Sequence, residues 1–289
     1  MTEASNVTVL RPHQPELPLV IEQPSMTASN QLPPDVAIAE TNAALHRHPV
    51  FIAGSVVAAN VYGIGSYGDV DVFCPTQQVL VSTVQTLLNA GYTLDERFSR
   101  TWYRWLRYGM KGWHTNSIKL ESLAGTQINV VYKLTEGHAT TSLSQVLESF
   151  DFGLLGVGVE VETTTVRDLR PYLFPAYTIS GPLPMMPNKR DNWRQGFVSQ
   201  YNGLREAGRY AKYHNYGYDM SAVRDDLIEG YNEACKYYLP HFDPDKQLLG
   251  EIYLKLAEYI EDDNIAGLTA SYATLDFTDS LDKIMEGLE

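Results

Sequence analysis

Asp69 and Asp71, in the run DVDVF, are the residues of this chain best suited to chemistry. Side chains alternate along a strand, so both carboxylates project to one face. Two like charges held there repel unless something compensates them. A hard divalent cation does so, and Mg²⁺ (or Mn²⁺) held by one or two carboxylates together with substrate phosphates is the usual arrangement. Thirteen residues separate Ser55 from Asp69, and Gly54-Ser55 closes the apolar run PVFIAG. Glycine lets the backbone approach a ligand closely, and the free amides at a helix N-terminus favour phosphate. The aspartates therefore read as a cation site and the Gly-Ser turn as a phosphate site. Asp-x-Asp alone is a weak signal: Asp243-Pro244-Asp245 matches it too, and there it reads as a helix-capping turn.

The elements that must hold these groups follow from hydrophobic periodicity. A helix is expected over 35–46, then a buried strand at PVFIAG. Ser55 is expected to cap a helix through VVAANVY, its hydroxyl accepting from first-turn amides. GIGSYG reads as a loop, DVDVF as a strand, and 77–89 as an amphipathic helix stopped by Gly91. SIKLES and TQINVVYK read as a β-hairpin, a helix follows near 142–149, and FDFGLLGVGVEVETTTV reads as one or two strands. The prolines from RPYLFPAY through GPLPMMP are expected to exclude regular structure. Beyond them the periods are helical at 189–214, 220–238 and 244–261, with a weaker tail after 278. The fold class expected is a mixed-sheet α/β lobe, its sheet built from residues 50–166, followed by an all-α C-terminal lobe. Three regions result: a Pro-rich disordered tail at 1–34 with VIEQ as a docking strand, an α/β domain at 35–175, and a helical domain at 188–289.

An apolar strand, Gly-Ser, a spacer of thirteen residues and then Asp-apolar-Asp-apolar, as in FIAGSVVAANVYGIGSYGDVDVF, resembles the nucleotidyltransferase superfamily of the polymerase-beta type. The resemblance covers roughly residues 48–165. It implies transfer of a nucleoside monophosphate from a nucleoside triphosphate such as ATP, a metal on Asp69 and Asp71, and Gly54 and Ser55 against the triphosphate. The chain also looks like a subgroup found in phage genomes and beside ankyrin repeats, through Gln127 in TQINVVYK and Asp151 in SFDFGLLGV. Catalytic members commonly carry a third carboxylate on a nearby strand. Here the strand after the hairpin turn offers Gln127 and Asn129, amides that coordinate weakly and cannot accept a proton. Glu121 and Asp151 are the acids nearby. Asp151 is favoured as the third catalytic acid because it sits between two aromatics on a buried strand, where an unpaired carboxylate is expensive. A cap or a salt-bridge partner is its equal alternative.

Arg97, Arg100, Arg104, Arg107, Lys111 and Lys119 form a basic block without an acidic residue, interleaved with Phe98, Trp102, Tyr103, Trp105 and Tyr108. Arginine forks bind phosphate and aromatics stack on bases, so Arg104 and Arg107 are candidates to hold nucleotide or RNA. A solvated basic face explains the same residues. A second stripe, Arg190, Arg194, Arg205, Arg209 and Lys212, could line a cleft for anionic substrate or pair with the acidic helices downstream.

The net charge of −13 does not argue against an anionic ligand, because 17 of the 35 acidic residues but only five of the 22 basic ones lie in 217–289. No apolar run spans a membrane, no secretory leader is legible, and two cysteines in unrelated contexts give neither a disulfide framework nor a metal cage. A cytoplasmic protein is expected, in the host cytoplasm if phage-encoded. The functional expectation is a Mg-dependent nucleotidyltransferase acting on a hydroxyl acceptor, with RNA favoured by the basic block. The alternative is a catalytically impaired nucleotide- or RNA-binding module on the same fold. The sequence fixes neither the base nor the oligomeric state.

Overall fold

Eight described strands form one mixed sheet: β1 (Phe51–Ala53), β2 (Val70–Phe73), β3 (Thr93–Leu94), β4 (Thr115–Glu121), β5 (Gln127–Thr135), β6 (His138–Ala139), β7 (Val157–Glu160) and β8 (Thr165–Asp168). In this computed structural model, which describes residues 32–94, 115–135, 138–190 and 202–276, their order is β3-β4-β5-β2-β1-β7-β8, with β6 against β5. The β2–β5 pair is parallel and the other pairings among these strands are antiparallel. β4 and β5 form the expected hairpin, in register from Thr115↔Lys133 to Glu121↔Gln127.

Alternation divides the sheet into two unlike faces. Val70 and Val72 of β2 join Ile52, Ile128 and Val130 in a core covered by α1 (Pro34–Leu45) and α3 (Gln77–Asn89). Helix α3 is set by Thr76, whose hydroxyl accepts from Val79 N at 3.1 Å, and it buries Leu80, Val84 and Leu87. Each such side chain contributes about 1.5–3 kcal/mol relative to exposure. The opposite face carries Ala53, Phe73 and Val131 under Leu143, Val146 and Leu147 of α4 (Leu143–Glu148). Ser142 and Gln145 start α4 with a reciprocal capping box. Asp71 lies between Val70 and Val72, so it belongs to this second face.

After the sheet, α7 (Asn202–Asn215), α8 (Ser221–Tyr238), α9 (Pro244–Glu261) and α10 (Ile265–Asp276) build a tyrosine-rich core, in which Tyr231 stacks on Tyr253 at 5.6 Å. That core continues onto α2 (Ser55–Tyr62) through Ala58, and onto Phe152 and Leu154 beside β7. Helix α7 is thereby carried to the start of α2, which matters for the site. A mixed α/β sheet followed by helices is thus the observed fold class. The described residues form one compact unit.

Three local expectations are corrected. Ser55 is not the cap of α2: Gly54 holds that place with φ +88°, and Ser55 is the first helical residue. The proline-rich stretch is not devoid of helix, since Arg170–Leu173 and Pro187–Arg190 form single turns, α5 and α6. Pro171 and Pro187 fall in first turns, where the missing N–H has no helical partner to lose. Last, α10 forms over 265–276 where no helix was expected. Its small residues give little periodicity, and its start is marked by the Asn264 side chain accepting from Gly267 N at 2.9 Å. The expected tail after 278 and the expected strand VIEQ lie outside the described residues.

Candidate active site

Strand register assembles a row of side chains across four strands. Ala53 of β1 faces Asp71 of β2, Asp71 faces Asn129 of β5, and Asn129 faces Lys119 of β4. Residues opposite one another in a sheet share a face, so Lys119, Asn129 and Asp71 stand together beside the small Ala53. Asn129 Nδ2 donates to Asp71 Oδ1 at 2.8 Å, and Lys119 Nζ lies 3.1 Å from Asp69 Oδ2. Asn129 Oδ1 is buried without a hydrogen-bond partner.

The carboxyl of Asp71 is pushed up to about 7. Burial is the main cause and the Asp69 carboxylate adds to it, against the Asn129 amide, Lys212 and Lys119, which favour the charged form. The repulsion expected from the Asp-x-Asp spacing is therefore present, and it falls on the more enclosed aspartate. Tyr216 responds to the same charge: burial, then Asp69, pushes its phenol up to about 12.

The Gly-Ser turn closes against this row. A Cβ at Gly54 would lie 2.7 Å from Asp71 Oδ2, so glycine is required both by its φ and by the approach of the carboxylate. Ser55 is 2% exposed, and its hydroxyl accepts from Gly68 N at 3.1 Å. It ties the end of the glycine loop to the start of α2 rather than capping the helix. Tyr218 donates its hydroxyl to Ser55 O at 3.2 Å, fixing the turn from the helical side.

Helix α7 completes the surround. Lys212 Nζ would meet a Cβ at Gly68 at 3.0 Å, and the Tyr216 hydroxyl at 3.3 Å, so both groups lie over the loop that precedes Asp69. The ammonium also sits 5.9 Å and 5.7 Å from the ring centroids of Tyr213 and Tyr216. One turn earlier on α7, Arg209 pairs with Asp151, which is 1% exposed and lies 3.4 Å from Lys189 Nζ as well. Burial raises the Tyr213 phenol, with Asp71 raising it further and Arg209 opposing, so Tyr213 senses both acids' surroundings.

Of the residues expected from sequence, Gly54, Ser55, Asp69 and Asp71 come together. Asp151 has Arg209 and Lys189 as its cationic partners. Among the described residues no three His, Cys, Asp or Glu side chains are grouped so as to hold a metal. Arg104 and Arg107, with the rest of the block from Arg97 to Lys111, lie outside the described residues. In the second basic stripe Arg209 and Lys212 turn toward Asp151 and the loop before Asp69, whereas Arg190 acts on Asp226 of the downstream α8. Sequence reasoning did not assign Lys119 to the site. Its position in SIKLES, at matching alternation to Asn129 across the hairpin, was the available signal.

The donors present suit a hard divalent cation: two carboxylates and one unpartnered amide oxygen on adjacent parallel strands. Lys212 and Lys119 bring two ammonium groups to bear on the same carboxylates.

No protein-family model and no curated protein matches the chain. Among solved structures it is similar to the Bacillus stearothermophilus CCA-adding enzyme in complex with CTP, at 14% identity and a TM-score of 0.45. The alignment covers 77% of this chain and 49% of that one, so the chain spans about half the length of that protein. No helix among the described residues is long and apolar enough to cross a membrane.

Proposed function

We propose that this chain is a nucleotidyltransferase of the polymerase-beta type, moving a nucleoside monophosphate from a nucleoside triphosphate to a hydroxyl acceptor. The observation that carries the reading is the placement of Asp71 against Gly54. One contact joins the acidic strand to the amide-bearing start of α2, as a metal-bound triphosphate requires. When bound, Mg²⁺ or Mn²⁺ on Asp69, Asp71 and Asn129 Oδ1 would neutralise the triphosphate and the leaving pyrophosphate. The chain's own groups then have distinct tasks. The buried amides from Ser55 onward receive phosphate oxygens, and Ser55 keeps the glycine loop in place. Lys212 supplies a charge over that loop to meet a phosphate. The Asp151–Arg209 pair pins α7 so that Lys212 stays in reach. RNA is the favoured acceptor on the basic block alone.

A second reading is favoured by one observation. Asn129 faces Asp71 in register, at a place where a carboxylate would complete the acidic set, and Lys119 already neutralises Asp69. On that reading the site binds nucleotide without transferring it. Incubation with each α-labelled triphosphate, Mg²⁺ and total RNA separates the two. Label entering RNA with the parent but not with Asp71→Asn is the expected result. Triphosphate binding with no label in RNA, protein or small acceptor would leave the binding module standing and remove the enzyme.

A further inference from the structure

The end of α7 carries a nucleophile that the proposed transfer does not use, the phenol of Tyr216. This residue follows the helix directly, and its backbone N–H donates to Lys212 O at 3.1 Å and to Tyr213 O at 3.2 Å, continuing the final turn. Its ring meets Tyr213 edge-on at 6.1 Å, and the Lys212 ammonium stands 5.7 Å from its centroid. Tyr213 is buried, and Tyr218, two residues further on, donates to Ser55 O. The segment that carries the phenol is thus anchored on both sides.

Where the hydroxyl lies decides what it can do. A Cβ at Gly68 would stand 3.3 Å from it, and Gly68 is the residue before Asp69. The phenol also feels the charge of the Asp69 carboxylate. Two other hydroxyls at this turn are engaged, since Ser55 accepts from Gly68 N and Tyr218 donates to Ser55 O. The Tyr216 hydroxyl has no hydrogen-bond partner among the described residues, and its side chain is half-buried. It is therefore available to a ligand held on the aspartates.

We propose that Tyr216 is a nucleotidyl acceptor, so that the site modifies its own chain when no other hydroxyl occupies it; this rests on the transferase reading given above. The phenol oxygen forms a bond to the α-phosphorus of the nucleoside triphosphate. The bond from that phosphorus to the oxygen bridging to the β-phosphate breaks, and pyrophosphate leaves. The phenolic proton passes to the Asp69 carboxylate, so the step needs no further reactant. A side chain anchored beside the reacting group gains from proximity what a free acceptor must supply by concentration. The product is a tyrosyl phosphodiester, whose negative charge forms next to Lys212 and is offset by it. The adduct fills the space over Gly68 and Asp69, so each chain takes one nucleotide and is then closed to other acceptors.

The test incubates the full chain with each nucleoside triphosphate and Mg²⁺, without RNA, and reads the intact mass and the modified peptide by mass spectrometry. One nucleoside monophosphate per chain is expected, on Tyr216. Tyr216→Phe keeps the ring that packs against Tyr213, so it should fold, which its melting temperature checks, and stay unmodified. Asp71→Asn should stay unmodified too. A mixture of the two variants should also take no nucleotide, because one has the site without the acceptor and the other the acceptor without the site. The proposal is overturned by a parent that stays unmodified, by an adduct at another residue, by modification of Asp71→Asn, or by an adduct in the mixture. A parallel incubation with total RNA and α-labelled triphosphate separates this proposal from the reading it rests on. Label in RNA with Tyr216 unmodified removes only the self-transfer, whereas label in neither removes both.

Discussion

Asp71 rests its carboxylate against the bare α-carbon of Gly54, where a side chain at position 54 would begin 2.7 Å from Oδ2. The contact joins the end of β1 to β2 across an antiparallel pair in which Ala53 and Asp71 are direct partners. Gly54 also has φ +88°, a region that L side chains rarely adopt. Position 54 is thus constrained twice, by its own backbone and by a neighbour that carries charge.

Gly54→Ala is therefore expected to destabilise the protein by about 1–3 kcal/mol and to displace Asp71. Gly63→Ala is the reference, because Gly63 has φ +68° but open space around it, and about 1 kcal/mol is expected there. Urea denaturation of both variants checks the difference. Equal costs would mean that the carboxylate moves aside freely.

Asp71 makes stability depend on pH in the direction opposite to most carboxylates. Its folded value of about 7 exceeds the unfolded value of about 3.9, so the folded state holds the proton more tightly. Its contribution is full below about pH 4 and is lost as pH rises through 7. Asp71→Asn should therefore gain stability relative to the parent across that window, measured without divalent cation, and the gain should level off above it. A pH-independent difference between the two proteins would show that Asp71 titrates normally.

Divalent cation reverses that trend if it binds where proposed. A cation competes with the proton on Asp71, so the Mg²⁺-induced rise in melting temperature should be larger at pH 8 than at pH 5.5. Asp71→Asn should abolish both the rise and its pH dependence. A shift equal at the two pH values places the ion elsewhere.

Asp151 is enclosed but the Arg209 side chain is 39% exposed, so the pair is expected to behave as a half-buried one. Arg209→Met leaves the enclosed carboxylate with Lys189 and should cost about 1–3 kcal/mol. Adding Asp151→Asn to that variant should restore part of the loss, because the uncompensated charge is removed. Urea unfolding of the two single variants and the double variant reads the coupling. Strict additivity would show that the pair does not hold α7 to the sheet.

Lys212 is exposed, and its side chain contributes charge rather than packing. Lys212→Met should leave the melting temperature within about 1 °C of the parent, as for a surface change. Triphosphate affinity should fall about tenfold for the lost charge-assisted contact. Unchanged affinity would remove Lys212 from the site.

Much of this arrangement is determined locally. Alternation in VDVF puts Val70 and Val72 into one core and Asp71 on the other face, whatever the rest of the chain does. Thr76, Ser142 and Gly91 mark helix ends by hydrogen bonds or φ angles that span a few residues. Gly54-Ser55 before an apolar helix is local too, although sequence alone misassigned the serine. A cap needs only its neighbours, while the actual partner of the Ser55 hydroxyl is Gly68, thirteen residues away.

The identity of the groups facing the aspartates was decided by tertiary structure. Asn129 reaches Asp71 across 58 residues because β5 pairs parallel to β2, and parallel pairing has no turn to set its register. Lys119 follows from that register through the β4–β5 hairpin. Arg209 and Lys212 reach the site because Tyr213 of α7 packs edge-on against Phe152, in a core that also holds Ala58 of α2. That docking depends on the shape of two buried surfaces. Periodicity can mark which residues are buried, but the surface each one meets is fixed only when the helices pack against the sheet.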